Sequence, residues 1–152
     1  MAEFKIREHI EETGKVFERF GLTPMQGRIV SYLANAEKPE ATFSDMVEFF
    51  RASKSSISTS LNYLLMAKMI DYRTYSSERK KYFHLTDSFF MIYFTQVLEN
   101  LRELKELCYK TVSARSIEYP EVSETILKWV QGANVFEKSL VEVVDRINGQ
   151  EE

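Results

Sequence analysis

Residues 42–86 read TFSDMVEFFRASKSSISTSLNYLLMAKMIDYRTYSSERKKYFHLT. The stretch predicts a short helix that Thr42 caps, with Asp45 three residues further on, then a turn and a longer helix over about 53–68. Alternating apolar and polar residues follow at 70–75 and at 82–85, as in two strands joined by a tight connection. A helix, a turn, a helix and a basic hairpin, in this order, predict a winged helix-turn-helix.

The second of these helices has two different faces. One face carries apolar residues at helical spacing that would anchor the helix to its neighbours, namely Ile57, Leu61, Leu64 and Leu65. The opposite face carries mainly short polar side chains, which helix propensity does not favour: Lys54, Ser55, Ser56, Ser58, Thr59 and Asn62. Hydroxyl and amide groups of this size can reach phosphates and base edges in DNA. A solvated helix start with serine caps would use the same residues.

Predicted helices flank this central domain, which we expect to span residues 21–86. A first helix has apolar residues between Ile6 and Phe20 and ends at Gly21, and Thr23 with Pro24 predicts the start of the next helix. The fold class is therefore mainly α with a small β-hairpin.

Two apolar seams follow the central domain. Their members step by alternating threes and fours, as in coiled coils: Phe90, Phe94, Val97, Leu101, Leu104 and Cys108, and then Val122, Ile126, Trp129, Ala133, Phe136, Leu140, Val143 and Ile147. One small domain cannot cover so many apolar faces, so we expect residues 1–20 and 87–152 to form a helical dimerisation region. A monomer that packs its own helices is the alternative.

The charge of the chain is unevenly distributed. The whole chain of 152 residues carries a formal net charge of −3. The segment from Arg51 to His84 holds seven basic and two acidic residues, a net charge of +5, which leaves −8 for the rest. A basic segment on an acidic body is what a protein needs if one face is to neutralise phosphates.

The sequence lacks the residue sets that catalysis or metal binding usually needs. His9 and His84 form no cluster, the five glycines form no phosphate-binding loop, and Cys108 alone allows no internal disulfide or thiolate-rich zinc site. We therefore expect no enzyme, no cofactor and no metal. We also expect a cytoplasmic protein, because residues 1–20 are charged throughout and no stretch approaches the roughly 18 apolar residues of a membrane span.

Three segments, Ser55–Leu64, Met69–Arg73 and Arg79–Leu85, resemble the MarR family of transcriptional regulators and, within it, the GbsR-like branch. The resemblance implies a recognition helix in the major groove and a wing, residues 73–82, on the minor groove or its phosphates. Carried over by position, it assigns DNA contacts to Lys54, Ser55, Ser56, Ser58, Thr59, Asn62, Arg73, Arg79, Lys80 and Lys81. The acidic-Arg pair of the family's wing is here Glu78-Arg79, in a shortened loop.

The resemblance and the seams together imply a homodimer, expected to be a repressor, on double-stranded DNA with a palindromic operator. An aromatic cluster at the start of the helix after the wing lies where the family holds its ligands: Phe89, Phe90, Tyr93 and Phe94. Such a cluster can bind an apolar or quaternary-ammonium effector, although aromatic residues at helical spacing are first of all a core. The alternative function is a winged-helix module that binds protein through its acidic remainder, without sequence-specific DNA binding.

Overall fold

Six helices and three short strands make up residues 2–149, the part of the chain that this computed structural model describes. They are α1 (Ala2–Glu18), α2 (Pro24–Asn35), β1 (Ala41–Thr42), α3 (Phe43–Phe50), α4 (Lys54–Met66), β2 (Ile70–Thr74), β3 (Lys81–Leu85), α5 (Phe89–Ala114) and α6 (Pro120–Asn148). Met1 and residues 150–152, at the ends of the predicted dimerisation region, lie outside the described residues. The chain forms two compact units that divide between Phe89 and Phe90.

The helix starts confirm the predicted caps. Thr23 precedes α2 in a reciprocal capping box with Gln26, whose side-chain oxygen accepts from the Thr23 backbone N–H at 2.9 Å. Thr42 precedes α3 in the same arrangement with Asp45, and its backbone N–H donates to Asp45 Oδ2 at 2.8 Å. Each box satisfies two backbone donors that a helix start otherwise leaves unpaired.

The sheet has one strand more than the predicted hairpin. The strands β2 and β3 pair antiparallel as expected, with Tyr72 opposite Phe83, and β1 adds to the other edge of β3 with Ala41 opposite Phe83. A strand of two residues is too short to show an alternating pattern. The fold class is otherwise confirmed as mainly helical with a small antiparallel sheet.

The core of the first unit lies among the helices and one side of the sheet. Its most deeply buried large side chains come from α1, α2, α3, α4 and β2, with relative exposures below 2%: Ile10, Ile29, Met46, Ile57, Leu64 and Ile70. The helix α1 packs along α2 within this unit. That packing leaves the assignment of α1 to the dimerisation region a prediction.

The crossing of α1 and α2 depends on two glycines. A Cβ atom at Gly27 would lie only 2.7 Å from the carbonyl oxygen of Gly14, and a Cβ atom at Gly14 would lie 3.4 Å from Arg28. Beside the crossing, the Arg28 guanidinium donates to Glu11 Oε2 at 2.8 Å. The two backbones therefore approach more closely than any side chain at position 27 would allow.

The second unit contains the long helices α5 and α6, which share an ion-pair cluster. Glu137 on α6 accepts from Arg102 Nε at 2.7 Å and from Lys105 Nζ, both on α5. These hydrogen bonds hold the pKa of Glu137 below its ordinary value. They fix which faces of the two helices are adjacent.

The seam predicted on α6 divides into two sets. Ile126 and Leu140 are buried, with Ala133 and Ile147 partly buried at the same seven-residue spacing. The members between them stay exposed, again seven residues apart: Val122 at 47%, Trp129 at 65%, Phe136 at 52% and Val143 at 45%. One stripe is thus covered within this chain and the other is not.

We expect Gly27→Ala to lower the free energy of unfolding by about 1–3 kcal/mol, because overpacking would force α1 and α2 apart. The matched control is Gly132→Ala in the interior of α6, where a new Cβ would meet nothing within 4 Å. That change should raise the free energy of unfolding by about 0.5–1 kcal/mol, because alanine favours helix. Urea denaturation of both variants measures the difference, and an equal effect at the two positions would contradict the close crossing.

Candidate nucleic-acid interface

The helix α4 presents most of the predicted contact residues to solvent. Ser53 caps it by accepting from the Ser56 backbone N–H at 3.2 Å, and its apolar face is buried through Ile57, Leu61 and Leu64. The outer face exposes Lys54, Ser55, Ser58, Thr59 and Asn62, whereas Ser56 is half-buried. The predicted span of 53–68 is slightly too long, because the helix ends at Met66 and Lys68 adopts a left-handed conformation with φ of 54°.

A groove of about 590 Å³ runs between the start of α2 and the outer face of α4. Its walls include Thr23 and Arg28 from one side and Ser55, Ser56 and Thr59 from the other. Ser55 Oγ lies 3.1 Å from Ser53 Oγ, so the first turn of α4 already carries linked hydroxyls. Hydroxyl groups in such a place can donate to phosphate oxygens or accept from base edges.

Met66 shares the outer face of α4 and was missed by the sequence analysis. It stands eleven residues after Ser55, about three helical turns, and its side chain is 84% exposed. Tyr63, one turn earlier, is 46% exposed. A methionine usually indicates a core position, so only the position of Met66 at the end of the helix could have revealed its exposure. An exposed apolar side chain on this face can contact a thymine methyl group.

The wing carries its basic residues at exposed positions. Arg73 lies opposite Tyr82 in the β2–β3 register and Thr74 lies opposite Lys81, so Arg79 and Lys80 belong to the connection beyond the last pair. All four basic residues are exposed. The Lys81 ammonium lies 4.1 Å from the centre of the Tyr72 ring, a cation–π contact that holds its side chain along β2.

The tip of the wing borders the start of α3. A second groove, of about 310 Å³, has Thr42 and Ser44 on one side and Arg79, Lys80 and Lys81 on the other. Asp45 belongs to the same helical turn. Burial alone would raise the pKa of its carboxyl, but the hydrogen bonds from Thr42, with Lys38 and Lys80 nearby, bring the pKa below its ordinary value. The carboxylate is therefore committed to the cap.

Two side-chain hydrogen bonds lie at the two ends of the wing. At its tip, Glu78 accepts a hydrogen bond from the Tyr82 hydroxyl. At its base, the Thr86 hydroxyl donates to the Lys68 carbonyl oxygen at 2.7 Å, three residues before α5 begins at Phe89. This hydrogen bond joins the end of β3 to the segment that follows α4.

The four aromatic residues of the predicted effector cluster belong to two different units of the structure. Phe89 belongs to the first unit, where its ring centre lies 5.4 Å from that of Phe17 in an edge-to-face contact. Phe90, Tyr93 and Phe94 belong to the second unit, and the Phe90 and Phe94 rings stack at 6.3 Å. Core packing thus accounts for Phe89, and an effector site at this cluster stays a prediction.

Among residues 5–147, whose side chains the structure describes, no group of three or more histidine, cysteine, aspartate or glutamate side chains could hold a metal ion. Within the same residues, no helix combines the length and the apolar character needed to cross a bilayer.

The exposed polar helix and the adjoining basic wing together form a winged helix-turn-helix. Residues 20–79 match the model of the MarR family. The chain is 26% identical over 106 residues to the HTH-type transcriptional regulator MmpR5 of Mycobacterium tuberculosis, a match that covers 70% of this chain and 64% of that protein. The chain thus resembles MarR-type transcriptional regulators over its central part, and the match spans less than two thirds of the length of the relative.

One solved structure shares the fold. A crystal structure described as a transcriptional regulator has a TM-score of 0.73 at 21% identity, covering 95% of this chain and 99% of that one. The DNA complex of Staphylococcus aureus MepR is less similar, with a TM-score of 0.45 at 20% identity, covering 88% of this chain and 93% of that one. The first comparison shows that the winged-helix architecture with its flanking helices occurs in an experimental structure.

We expect Ser53→Ala to lower the free energy of unfolding by about 1 kcal/mol, because the Ser56 backbone N–H at the start of α4 would lose its acceptor. Ser58→Ala, one turn further along the exposed face, is the control and should leave stability unchanged or slightly raised. Chemical denaturation measures both. Equal losses for the two variants would show that the Ser53 cap does not stabilise α4.

Proposed function

We propose that this protein is a dimeric, sequence-specific DNA-binding transcription regulator, acting as a repressor. In this proposal α4 enters the major groove, and the wing, residues 73–82, binds the minor groove or its flanking phosphates. The carrying observation is the pairing of an exposed hydroxyl and amide face on α4 with four exposed cations on the wing. The name of MmpR5, an HTH-type transcriptional regulator, supports the same function.

The charges of the wing support a role in phosphate binding. Arg73, Arg79 and Lys80 form no ion pair with any residue between 5 and 147, the range whose side chains are described, so no carboxylate there neutralises their charges by direct contact. Cations of this kind gain free energy by displacing the counterions that surround DNA. The outer face of α4 has only one full charge, at Lys54, and its neutral donors and acceptors suit base recognition instead.

The exposed stripe on α6 supports a dimer. Val122, Trp129, Phe136 and Val143 leave a long apolar surface in water, which monomeric proteins rarely do. Their seven-residue spacing is that of a seam between two helices, so a second copy of the same stripe is the occupant we propose. A two-fold dimer would place its two α4 helices about 34 Å apart, which predicts a palindromic operator.

Finer features of the proposal depend on the sequence resemblance. They are membership in the GbsR-like branch, a cytoplasmic location, and control by a small-molecule effector at or near Phe90, Tyr93 and Phe94. The stacked rings of these residues offer π-faces of the kind that a quaternary ammonium group binds. Effector binding would then change how the protein holds its operator.

We expect the double change Lys80→Glu and Lys81→Glu to abolish measurable DNA binding. For milder Lys→Ala changes at both positions, the slope of log K against log salt should fall by roughly 0.9 for each lost phosphate contact. Selection of bound DNA from a random pool supplies the operator, and fluorescence anisotropy against salt concentration measures the affinity.

The control is the double variant Lys15→Glu and Lys110→Glu. It makes the same change in net charge as the wing variant, at two exposed positions outside the wing. This variant should keep most of the affinity. If the selection yields no preferred sequence and the wing variants bind random DNA as the wild type does, the regulator proposal fails. Capture of a protein partner by the acidic surface would then favour the alternative, a winged-helix protein-interaction module.

We expect Trp129→Glu with Phe136→Glu to convert the dimer to a monomer, because two charges would enter the apolar seam. Gln131→Glu with Asn134→Glu, at exposed polar positions on the same helix, adds equal charge and should leave the dimer intact. Sedimentation velocity at micromolar concentration distinguishes the two states. A wild-type protein that sediments as a monomer would rule out the proposed seam.

A further inference from the structure

The tip of the wing is almost entirely surrounded by solvent. Every residue from Tyr75 to Lys80 is exposed, and one backbone hydrogen bond, from the Glu78 N–H to the Tyr75 carbonyl oxygen at 3.0 Å, closes the turn. An exposed connection with so little packing is normally mobile on its own. The side-chain contacts of this segment therefore decide how well Arg79 and Lys80 are held.

Two tyrosines connect the tip to carboxylates. The Tyr75 hydroxyl donates to Glu40 Oε1 at 2.7 Å, and the Tyr82 hydroxyl donates to Glu78. The two rings lie edge to face with their centres 5.1 Å apart. Hydrogen bonding to Glu40 raises the pKa of Tyr75, and hydrogen bonding to Glu78 raises the pKa of Tyr82 to about 12. Both phenols thus remain protonated donors under ordinary conditions.

The two tyrosine–carboxylate hydrogen bonds connect different parts of the structure. Tyr82 and Glu78 both belong to the hairpin, so their hydrogen bond closes the tip upon itself. Tyr75 follows β2 directly, and Glu40 lies just before β1 at the opposite edge of the sheet. The Tyr75–Glu40 hydrogen bond therefore tethers the tip to the body of the first unit.

We propose that Glu40 is a positioning residue for DNA binding, which holds the wing through Tyr75, while Glu78 and Tyr82 close the tip. The inference rests on the proposed function and adds a device for ordering the wing. A wing that is ordered before binding loses less conformational freedom when its cations meet phosphates. The Glu40 and Glu78 carboxylates accept hydrogen bonds from tyrosine hydroxyls and form no ion pair with Arg79 or Lys80. The two cations therefore stay available to bind phosphates.

The direction in which DNA affinity changes when Glu40 is removed distinguishes a positioning role from simple charge repulsion. A carboxylate near bound DNA repels phosphates, so its removal should by charge alone strengthen binding. If Glu40 positions the wing, its removal weakens binding instead. Tyr75→Phe changes no charge and deletes only the hydroxyl, so it should act in the same direction as Glu40→Ala.

The experiment compares four variants of the full chain on the selected operator. Tyr75→Phe and Glu40→Ala should each bind about tenfold more weakly, because the wing must then lose conformational freedom on binding DNA. Tyr72→Phe is the control for the tyrosine, since the Tyr72 hydroxyl makes no hydrogen bond to any residue between 5 and 147, where side chains are described, and its ring under Lys81 remains. Glu37→Ala is the control for the charge, from the same loop as Glu40. Both controls should bind as the wild type does, or slightly more tightly for Glu37→Ala.

Hydrogen exchange of residues 75–80 in the DNA-free protein provides a second measurement. Exchange should be faster in Tyr75→Phe and Glu40→Ala than in their controls, while thermal unfolding of all four stays close to the wild type. If the wild type binds its operator and Tyr75→Phe binds it equally well, the inference fails and the proposed function stands. If the wild type binds no DNA selectively, the proposed function fails and the positioning role fails with it.

Discussion

Burial of one face of α4 is the constraint on which the candidate interface depends. Ile57, Leu61 and Leu64 are almost completely inaccessible, and each contributes about 1.5–3 kcal/mol relative to an exposed side chain. Ser60, also buried, lies beside them without the bulk that would push the helix away from its neighbours. Rotating the helix by one residue, about 100°, would bury polar groups and expose apolar ones. The orientation of the outer face follows from this cost.

Much of this arrangement could be predicted from sequence because its signals are local. The capping boxes of Thr23 and Thr42 each extend over four residues, and the alternation in β2 and β3 is visible within five. The strand β1 could not be found in this way. Its two residues become a strand only because β3, which is distant in the sequence, offers them a free edge. Long-range pairing leaves no periodic pattern in so short a segment.

Periodicity also could not decide which apolar residues face another chain. The repeat along α6 predicted one continuous seam, but Ile126 and Leu140 are buried while Trp129 and Phe136 are exposed. A heptad pattern indicates that both sets of residues are apolar, but it does not indicate which of them a neighbouring helix covers. Two features of the candidate site could not be predicted from the sequence either. Met66 is exposed although its residue type suggests a core position. The Tyr75–Glu40 hydrogen bond joins residues that are 35 positions apart in the sequence. Residue type alone does not decide the serines either, because Ser55 and Ser58 are exposed as predicted whereas Ser60 on the same helix is buried.

The outer face of α4 carries mainly neutral polar side chains, whereas the wing carries cations. In the proposed complex the two parts would therefore contribute differently to affinity and to sequence selectivity. In that complex, hydrogen bonds from Ser55, Thr59 or Asn62 would have angular and distance requirements, so a misplaced base would cost binding free energy at that position. The cations of the wing would instead interact with a phosphate backbone that is nearly the same for every sequence. Their contribution depends on distance and on how freely the wing moves. A wing held at Glu40 would therefore strengthen binding to all DNA, and the preference among sequences would remain with the rigidly anchored outer face of α4.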